Sequence, residues 1–267
     1  MAGATPTLIG IPWDVHSSFM RGAAAAPPLV RRALFSPASN MWTESGLDLG
    51  VPGRLADAGD IDLPGADDAL GVIQEAVGRL MEDGGAPLAI GGDHAVTYPV
   101  VRAVAKRHSG LTILHIDAHP DLYDEFEGNR LSHACPFARI MEEGLATRLV
   151  QVGIRTMTGH QREQARRFGV ETIDMGAWAA GTRPALTGGI YISIDLDGLD
   201  PAFAPGVSHR EPGGLSVRDV IGLVRALPSP PVGADIVEFN PSQDPAGLTA
   251  HVAAKLLKEL AGRMPGA

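Results

Sequence analysis

Apolar residues along this chain gather in short continuous runs, each followed by a more polar stretch in which apolar positions recur at helical spacing. A continuous run reads as a strand buried on both faces, and its alternation with helices reads as a mainly parallel sheet covered on each side. The pattern predicts strands at Thr7 to Ile11, Pro87 to Ile90, Leu111 to Asp117, Leu149 to Ile154, Gly169 to Ile173, Ile190 to Asp195 and Val232 to Val237. Helices are predicted at Pro27 to Leu34, Asp68 to Met81, Val96 to Lys106, Cys135 to Glu143, His160 to Phe168, Ser216 to Arg225 and Thr249 to Leu260. Pro27 and Pro28 suit a first helical turn, where no amide partner is lost. Ser216 followed by Asp219 has the form of a capping box with Asp in place of Glu. No linker, repeat or low-complexity block divides the sequence, so residues 1–267 are expected to form one domain.

In such sheets ligands bind beyond the carboxyl ends of the strands, and four predicted strand ends carry polar residues. One strand ends in Asp117, His119 and Asp121, at a spacing of two that puts all three on one side while the chain stays extended. A second ends in Asp195 and Asp197. A third runs through Gly91 and Gly92 to His94, and a fourth ends at Glu238. Clustered buried carboxylates repel and lose hydration, so a cation must compensate them. No Lys or Arg lies within these motifs. Four Asp and two His are a hard, oxygen-rich set that suits Mn²⁺ and accepts Ni²⁺, Co²⁺ or Fe²⁺, while the absence of thiolate argues against structural zinc. Six ligands exceed the needs of one open cation; two metals about 3.5 Å apart would share them around a bridging hydroxide. A lone Asp-x-Asp or Gly-Gly-Asp-His is usually a turn; it is the combination at four strand ends that points to a metal centre. Asp200, between Gly198 and Pro201, reads as a turn residue.

Composition narrows the partners. A net charge of -9 argues against nucleic acid, which needs clustered Lys and Arg. No apolar run approaches the roughly 18 residues that would span a bilayer. Cys135 is the only cysteine, which excludes an internal disulfide; with no basic or Arg/Ser-rich leader in Met1 to Thr7, the expectation is a cytoplasmic protein.

These residues resemble the ureohydrolase superfamily of arginases, agmatinases, guanidinobutyrases and formiminoglutamases over nearly the whole length. Gly91-Gly-Asp-His94, Asp117-Ala-His-Pro-Asp121 and Ser193-Ile-Asp-Leu-Asp-Gly-Leu-Asp-Pro-Ala-Phe-Ala-Pro-Gly206 stand in the family's order and spacing. Ser17-Ser-Phe19, Glu127-Gly-Asn-Arg-Leu-Ser-His133, Val152-Gly-Ile-Arg155, Gly206-Val-Ser-His209 and Val237-Glu-Phe-Asn-Pro241 resemble the plant-type, agmatinase-like branch. The resemblance implies a three-layer α/β/α sandwich around about eight strands. It implies one metal on His94, Asp117, Asp121 and Asp195, and a second on His119, Asp117, Asp195 and Asp197. It further implies that a metal-bridging hydroxide attacks the guanidinium carbon, with Asp121 moving the proton, His133 shuttling protons and Glu238 pairing with the guanidinium. Trimers or hexamers are the family's usual assemblies.

Substrate choice stays open between agmatine and L-arginine. Where animal and bacillar arginases hold the amino acid's carboxylate, this chain has Tyr123 and Asn129; where they hold the amino group, it has Thr158 and Gln161. Tyr123, Asp124, Glu127, Asn129 and His160 are candidate specificity residues, and the acidic loop Asp124 to Glu127 favours a cationic tail. His209 is expected at the entrance or packed in a loop. A guanidinobutyrase or formiminoglutamase-type hydrolase is an alternative. A non-catalytic metal-binding subunit is disfavoured by retention of all six ligands with His133 and Glu238, and a deacetylase by the lack of an adjacent His pair. A Cys135 nucleophile is disfavoured because no third orienting partner is evident.

Overall fold

The computed structural model describes residues 3–63 and 68–267; Met1 and Ala2, part of the expected leaderless N-terminus, lie outside them. Eight strands form one sheet: β1 (Thr5–Gly10), β2 (Ala56–Asp60), β3 (Gly85–Ile90), β4 (Leu111–Ile116), β5 (Ala146–Ile154), β6 (Glu171–Asp174), β7 (Ile190–Asp195) and β8 (Gly233–Val237). Their spatial order is β2-β1-β3-β8-β7-β4-β5-β6, with every pairing parallel.

The helices are α1 (Ala26–Leu34), α2 (Ala69–Glu82), α3 (Thr97–Ala105), α4 (Pro136–Glu142), α5 (Gly159–Phe168), α6 (Met175–Ala179), α7 (Val217–Arg225) and α8 (Leu248–Ala261). Strand residues alternate between two apolar layers, as the two-residue period of a pleated strand requires. Ile190, Ile192 and Ile194 pack with the buried faces of α1, α7 and α8. Tyr191, Ile113 and Ala89 pack with α2, α3 and α4. No helix among the described residues is long and apolar enough to cross a membrane.

Every strand and helix expected from the apolar pattern is present, with ends shifted by at most three residues; β5, for example, starts at Ala146 and not Leu149. Ser216 is the cap preceding α7, and its capping box with Asp219 is formed. Two elements were not expected from the sequence. Strand β2, Ala-Asp-Ala-Gly-Asp, is exposed at every position on the sheet edge, and Arg31 of α1 anchors it by bonding Asp57, Asp60 and the Gly59 carbonyl. The five-residue α6 is capped by the Asp174 side chain, which accepts from the Ala177 amide.

The order of strands decides where chemistry can occur. Strands β3, β8, β7 and β4 are consecutive neighbours at the centre of the sheet, so their carboxyl ends deliver His94, Glu238, Asp195 and Asp117 to one rim. Gly92 permits a close approach there, since a Cβ would lie 1.7 Å from the Trp13 carbonyl oxygen; the Asp93 amide bonds that same oxygen at 2.9 Å.

Candidate active site

All six of the expected metal-ligand side chains converge on this rim. His94, Asp117, Asp121 and Asp195 form one group, and Asp117, His119 and Asp197 form a second that shares Asp117 with it. Each group brings one donor atom per residue within 4.8 Å of the others. Local backbone structure aims the carboxylates. Asp117 Oδ1 accepts from the His119 amide at 2.6 Å, Asp195 Oδ1 from the Asp197 amide at 2.7 Å, and Asp197 Oδ1 from the Ala118 amide at 3.2 Å. In each case one oxygen is tied down by the chain, and the other, Oδ2, is turned to an imidazole. Arg155 braces the segment after β7 by donating to the carbonyls of Asp197, Gly198 and Leu199.

The donor set can be tested against a divalent cation through one atom. His94 Nδ1 is buried and makes no hydrogen bond, yet Oδ2 of Asp117, Asp121 and Asp195 stand 3.2, 3.0 and 3.1 Å from it. A buried nitrogen ringed by three carboxylate oxygens without bonding any of them has the geometry of ligands converging on a common ion. The ring's other nitrogen, Nε2, meets Ser193 Oγ at 3.0 Å, and Ser193 donates to Asp235 at 2.6 Å. Such a carboxylate-backed chain fixes a ligating imidazole's tautomer. Electrostatics agree. Burial, then repulsion from Asp197 and Asp117, pushes the Asp195 carboxyl well above the usual range. Burial also dominates at Asp197, pushed up to about 7. Bound cations would reverse that penalty.

Residues not singled out in the sequence complete the site. His115 Nε2 lies 2.7 Å from Asp117 Oδ2, and Gln151 donates to His115 Nδ1 at 3.1 Å. The spacing of two that joined Asp117, His119 and Asp121 extends back to His115, so the signal was present. Ser193 obeys the same spacing before Asp195. Asp235, buried under Tyr191 and Ser193, had no such mark beyond its place in an apolar strand.

Beside the acidic cluster, His133 Nδ1 lies 2.8 Å from Glu238 Oε1. That same oxygen accepts the His94 amide at 2.9 Å, which leaves Glu238 Oε2 free toward the cleft. His133 Nε2 accepts from the Ser18 amide at 3.2 Å and meets Ser18 Oγ at 2.8 Å. Burial opposes charge on His133, but Glu238, followed by Asp93 and Asp121, holds its pKa up to about 9.

The cleft above these groups holds about 170 Å³. Tyr123 and His209 lie on its wall; the His209 ring is 5.9 Å from that of His119 and 5.3 Å from that of His133 between ring centres.

Three specificity expectations need correction. Asn129 does not reach the cleft: its amide meets His16, and its oxygen accepts the Leu131 amide to shape a turn. His160 stacks behind Tyr123 at 5.7 Å and accepts the Asp124 amide, supporting the wall without forming it. The acids of the loop do not line the cleft: Asp124 is paired with Arg130 and Arg139, and Glu125 and Glu127 are exposed. Asp200 accepts the amides of Ala202, Gly213 and Gly214, holding its turn. Burial pushes the Cys135 thiol up to about 12, which is inert as a nucleophile.

Residues 4–262 match the family model described as the arginase family. The chain belongs to the arginase family. It is 50% identical over 281 residues to "Arginase 1, mitochondrial" of Arabidopsis thaliana, covering 98% of this chain and 82% of the relative. "Arginase 2, chloroplastic/mitochondrial" of the same plant is also 50% identical, over 98% and 81%. The solved arginase from Medicago truncatula superposes with a TM-score of 0.92 at 47% identity, covering 98% of this chain and 88% of that one. This arginase-family protein is thus a hydrolase of C–N bonds that releases urea from a linear guanidino compound at a binuclear metal centre. The expectation of a cytoplasmic protein is overturned by these relatives, whose names place them in mitochondria or chloroplasts. A single cysteine excludes an internal disulfide without distinguishing one reducing compartment from another, so composition carried no address.

Proposed function

We propose that this protein converts L-arginine to L-ornithine and urea, using two Mn²⁺ ions held by His94, Asp117, Asp121, His119, Asp195 and Asp197. Support comes above all from His94 Nδ1, buried without a hydrogen bond among three carboxylate oxygens. When bound, divalent cations supply the charge that draws the pKa of water toward neutrality and stabilises negative charge developing on it. The remaining work falls to side chains. Glu238 Oε2 receives the guanidinium, whose planar donors suit a carboxylate, and its Oε1 is already committed to holding His94 and His133. Asp121, next to His94 and on the cleft wall, takes a proton from the nucleophile and returns it to the leaving amine. His133, whose Nδ1 faces Glu238 and whose Nε2 meets Ser18, exchanges protons between the cleft and solvent. Residues 1–267 act as one domain, and the chain assembles as a homo-oligomer.

The test is urea release from L-arginine, agmatine and 4-guanidinobutyrate by metal-depleted and Mn²⁺-loaded protein. Turnover is expected only after loading, and Asp197→Ala should lose both bound metal and turnover. Undiminished activity in the metal-depleted protein would overturn the proposal.

A further inference from the structure

Behind the acidic cluster a further histidine reaches the carboxylate that both cation groups share. His115 precedes Asp117 by two residues at the end of β4, so the alternation of an extended chain turns both side chains to one face. It is fully buried, stacked on Phe137 at 3.9 Å between ring centres and edge-on to His94 at 5.1 Å. Its Nε2 stands 2.7 Å from Asp117 Oδ2, the oxygen that also faces His94 Nδ1. An imidazole grouped with His94 and Asp117 in this way can be either another cation ligand or a hydrogen-bond donor to one.

The position of one proton decides between these roles, and Gln151 fixes it. Gln151 lies opposite His115 on the neighbouring β5 and is itself buried. Its Nε2 donates to the Pro120 carbonyl at 2.7 Å. A carbonyl can only accept, so turning the amide over would set oxygen against oxygen. The same nitrogen meets His115 Nδ1 at 3.1 Å, while Oε1 has no partner among the described residues. A ring nitrogen that faces a donor carries the lone pair, which puts the proton of a neutral imidazole on the other nitrogen. An imidazolium, or the opposite tautomer, would set N–H against N–H. His115 therefore holds its proton on Nε2 and donates it to Asp117, and a protonated Nε2 has no lone pair left for a cation.

We propose that His115 is a positioning residue for the metal centre: locked by Gln151 as the Nε2-protonated tautomer, it holds Asp117 Oδ2 and so orients the carboxylate common to both cation groups. With Oδ1 accepting the His119 amide at 2.6 Å, Asp117 is then fixed at both oxygens. The inference rests on the metal set of the proposed function. Groups that orient a ligand in this manner alter metal affinity by about 10–100-fold.

Two substitutions separate the roles of the ring nitrogens. His115→Gln keeps a donor near the place of Nε2, whereas His115→Asn keeps an acceptor for Gln151 near the place of Nδ1 and is too short to reach Asp117. Mn²⁺ is titrated into metal-depleted protein and the free ion is followed by electron paramagnetic resonance. The dissociation constant should rise by about 10–100-fold in the Asn variant and by a smaller factor in the Gln variant. Unchanged affinity in the Asn variant, or equal losses in both, overturns the inference. The wild type tests it without any substitution: loaded with diamagnetic Zn²⁺ and labelled with ¹⁵N-histidine, it should show His115 protonated on Nε2 and bare on Nδ1. A proton on Nδ1, or an Nε2 without one, overturns the inference even if a variant does not fold. Neither readout needs turnover, so tight binding of two ions with no urea release would overturn only the proposed reaction.

Discussion

Glu238 and Asp121 hold backbone φ angles of 64 and 50°, a left-handed region that side chains with a Cβ adopt at a cost of about 1–3 kcal/mol. Glu238 directly follows β8 and Asp121 lies five residues after β4, and both line the cleft, so the strain sits where the chemistry needs aim. Gly and Ala replacements at Glu238 both remove the carboxylate, but only Ala keeps the steric penalty. We expect Glu238→Gly to be more stable than Glu238→Ala by about 1 kcal/mol in urea titrations, with turnover lost in both. Equal stabilities would show that the turn relaxes without cost. At this scale the clustering of the acidic and histidine side chains was legible because residues two apart at strand ends leave a periodic mark in the sequence. The strained turns left none, since Phe239 after Glu238 and Leu122 after Asp121 read as ordinary apolar neighbours.

Helix starts carry their own instructions. At α7 the Ser216 hydroxyl accepts the Asp219 amide at 3.1 Å, and Asp219 returns the contact to the Ser216 amide at 2.9 Å. Ser216→Ala should cost about 1 kcal/mol in chemical denaturation and leave urea release unaffected, because α7 packs on the sheet well away from the cleft-lining residues. A loss of activity without a loss of stability would contradict that assignment. The helix itself was expected at α5, but its capping box from Thr158 to Gln161 was not read from the sequence. Strand β2 was not expected either. Its five residues are all exposed, and pairing to β1 with the Arg31 anchor sustains it without apolar burial.

Across the whole molecule, Glu44 ties distant parts of the chain together. Lying well before β2, it bonds Arg218 of α7 at 2.9 Å and Lys255 of α8 at 3.2 Å, with Arg225 at 3.6 Å. The Arg218 hydrogen bond, opposed by partial burial and reinforced by Lys255, lowers the Glu44 pKa from 4.5 to about 2. A carboxylate with a lowered folded-state pKa contributes stability that is fully present above its unfolded value and lost as pH falls through the folded one. The stability difference between wild type and Glu44→Gln should therefore be largest near neutrality and shrink between pH 4.5 and about 2. Salt should reduce it, as for any pair near the surface. A difference that stays constant across that window would mean Glu44 does not titrate as an ion-pair partner.

What the sequence determined by itself was the material: which segments are strands or helices, because burial imposes a period on apolar residues, and which strand ends carry the clustered Asp and His, because an extended chain repeats its side every second residue. What only the tertiary structure decided was adjacency. Nothing local orders β3, β8, β7 and β4 side by side, yet that order alone brings His94, Glu238, Asp195 and Asp117 to one rim. It also decided which loop charges face the cleft: Asp124 is acidic in sequence but neutralised by Arg130 and Arg139 in space. Charge along a chain is additive, whereas the field at a site depends on distance and pairing, and those are properties of the fold.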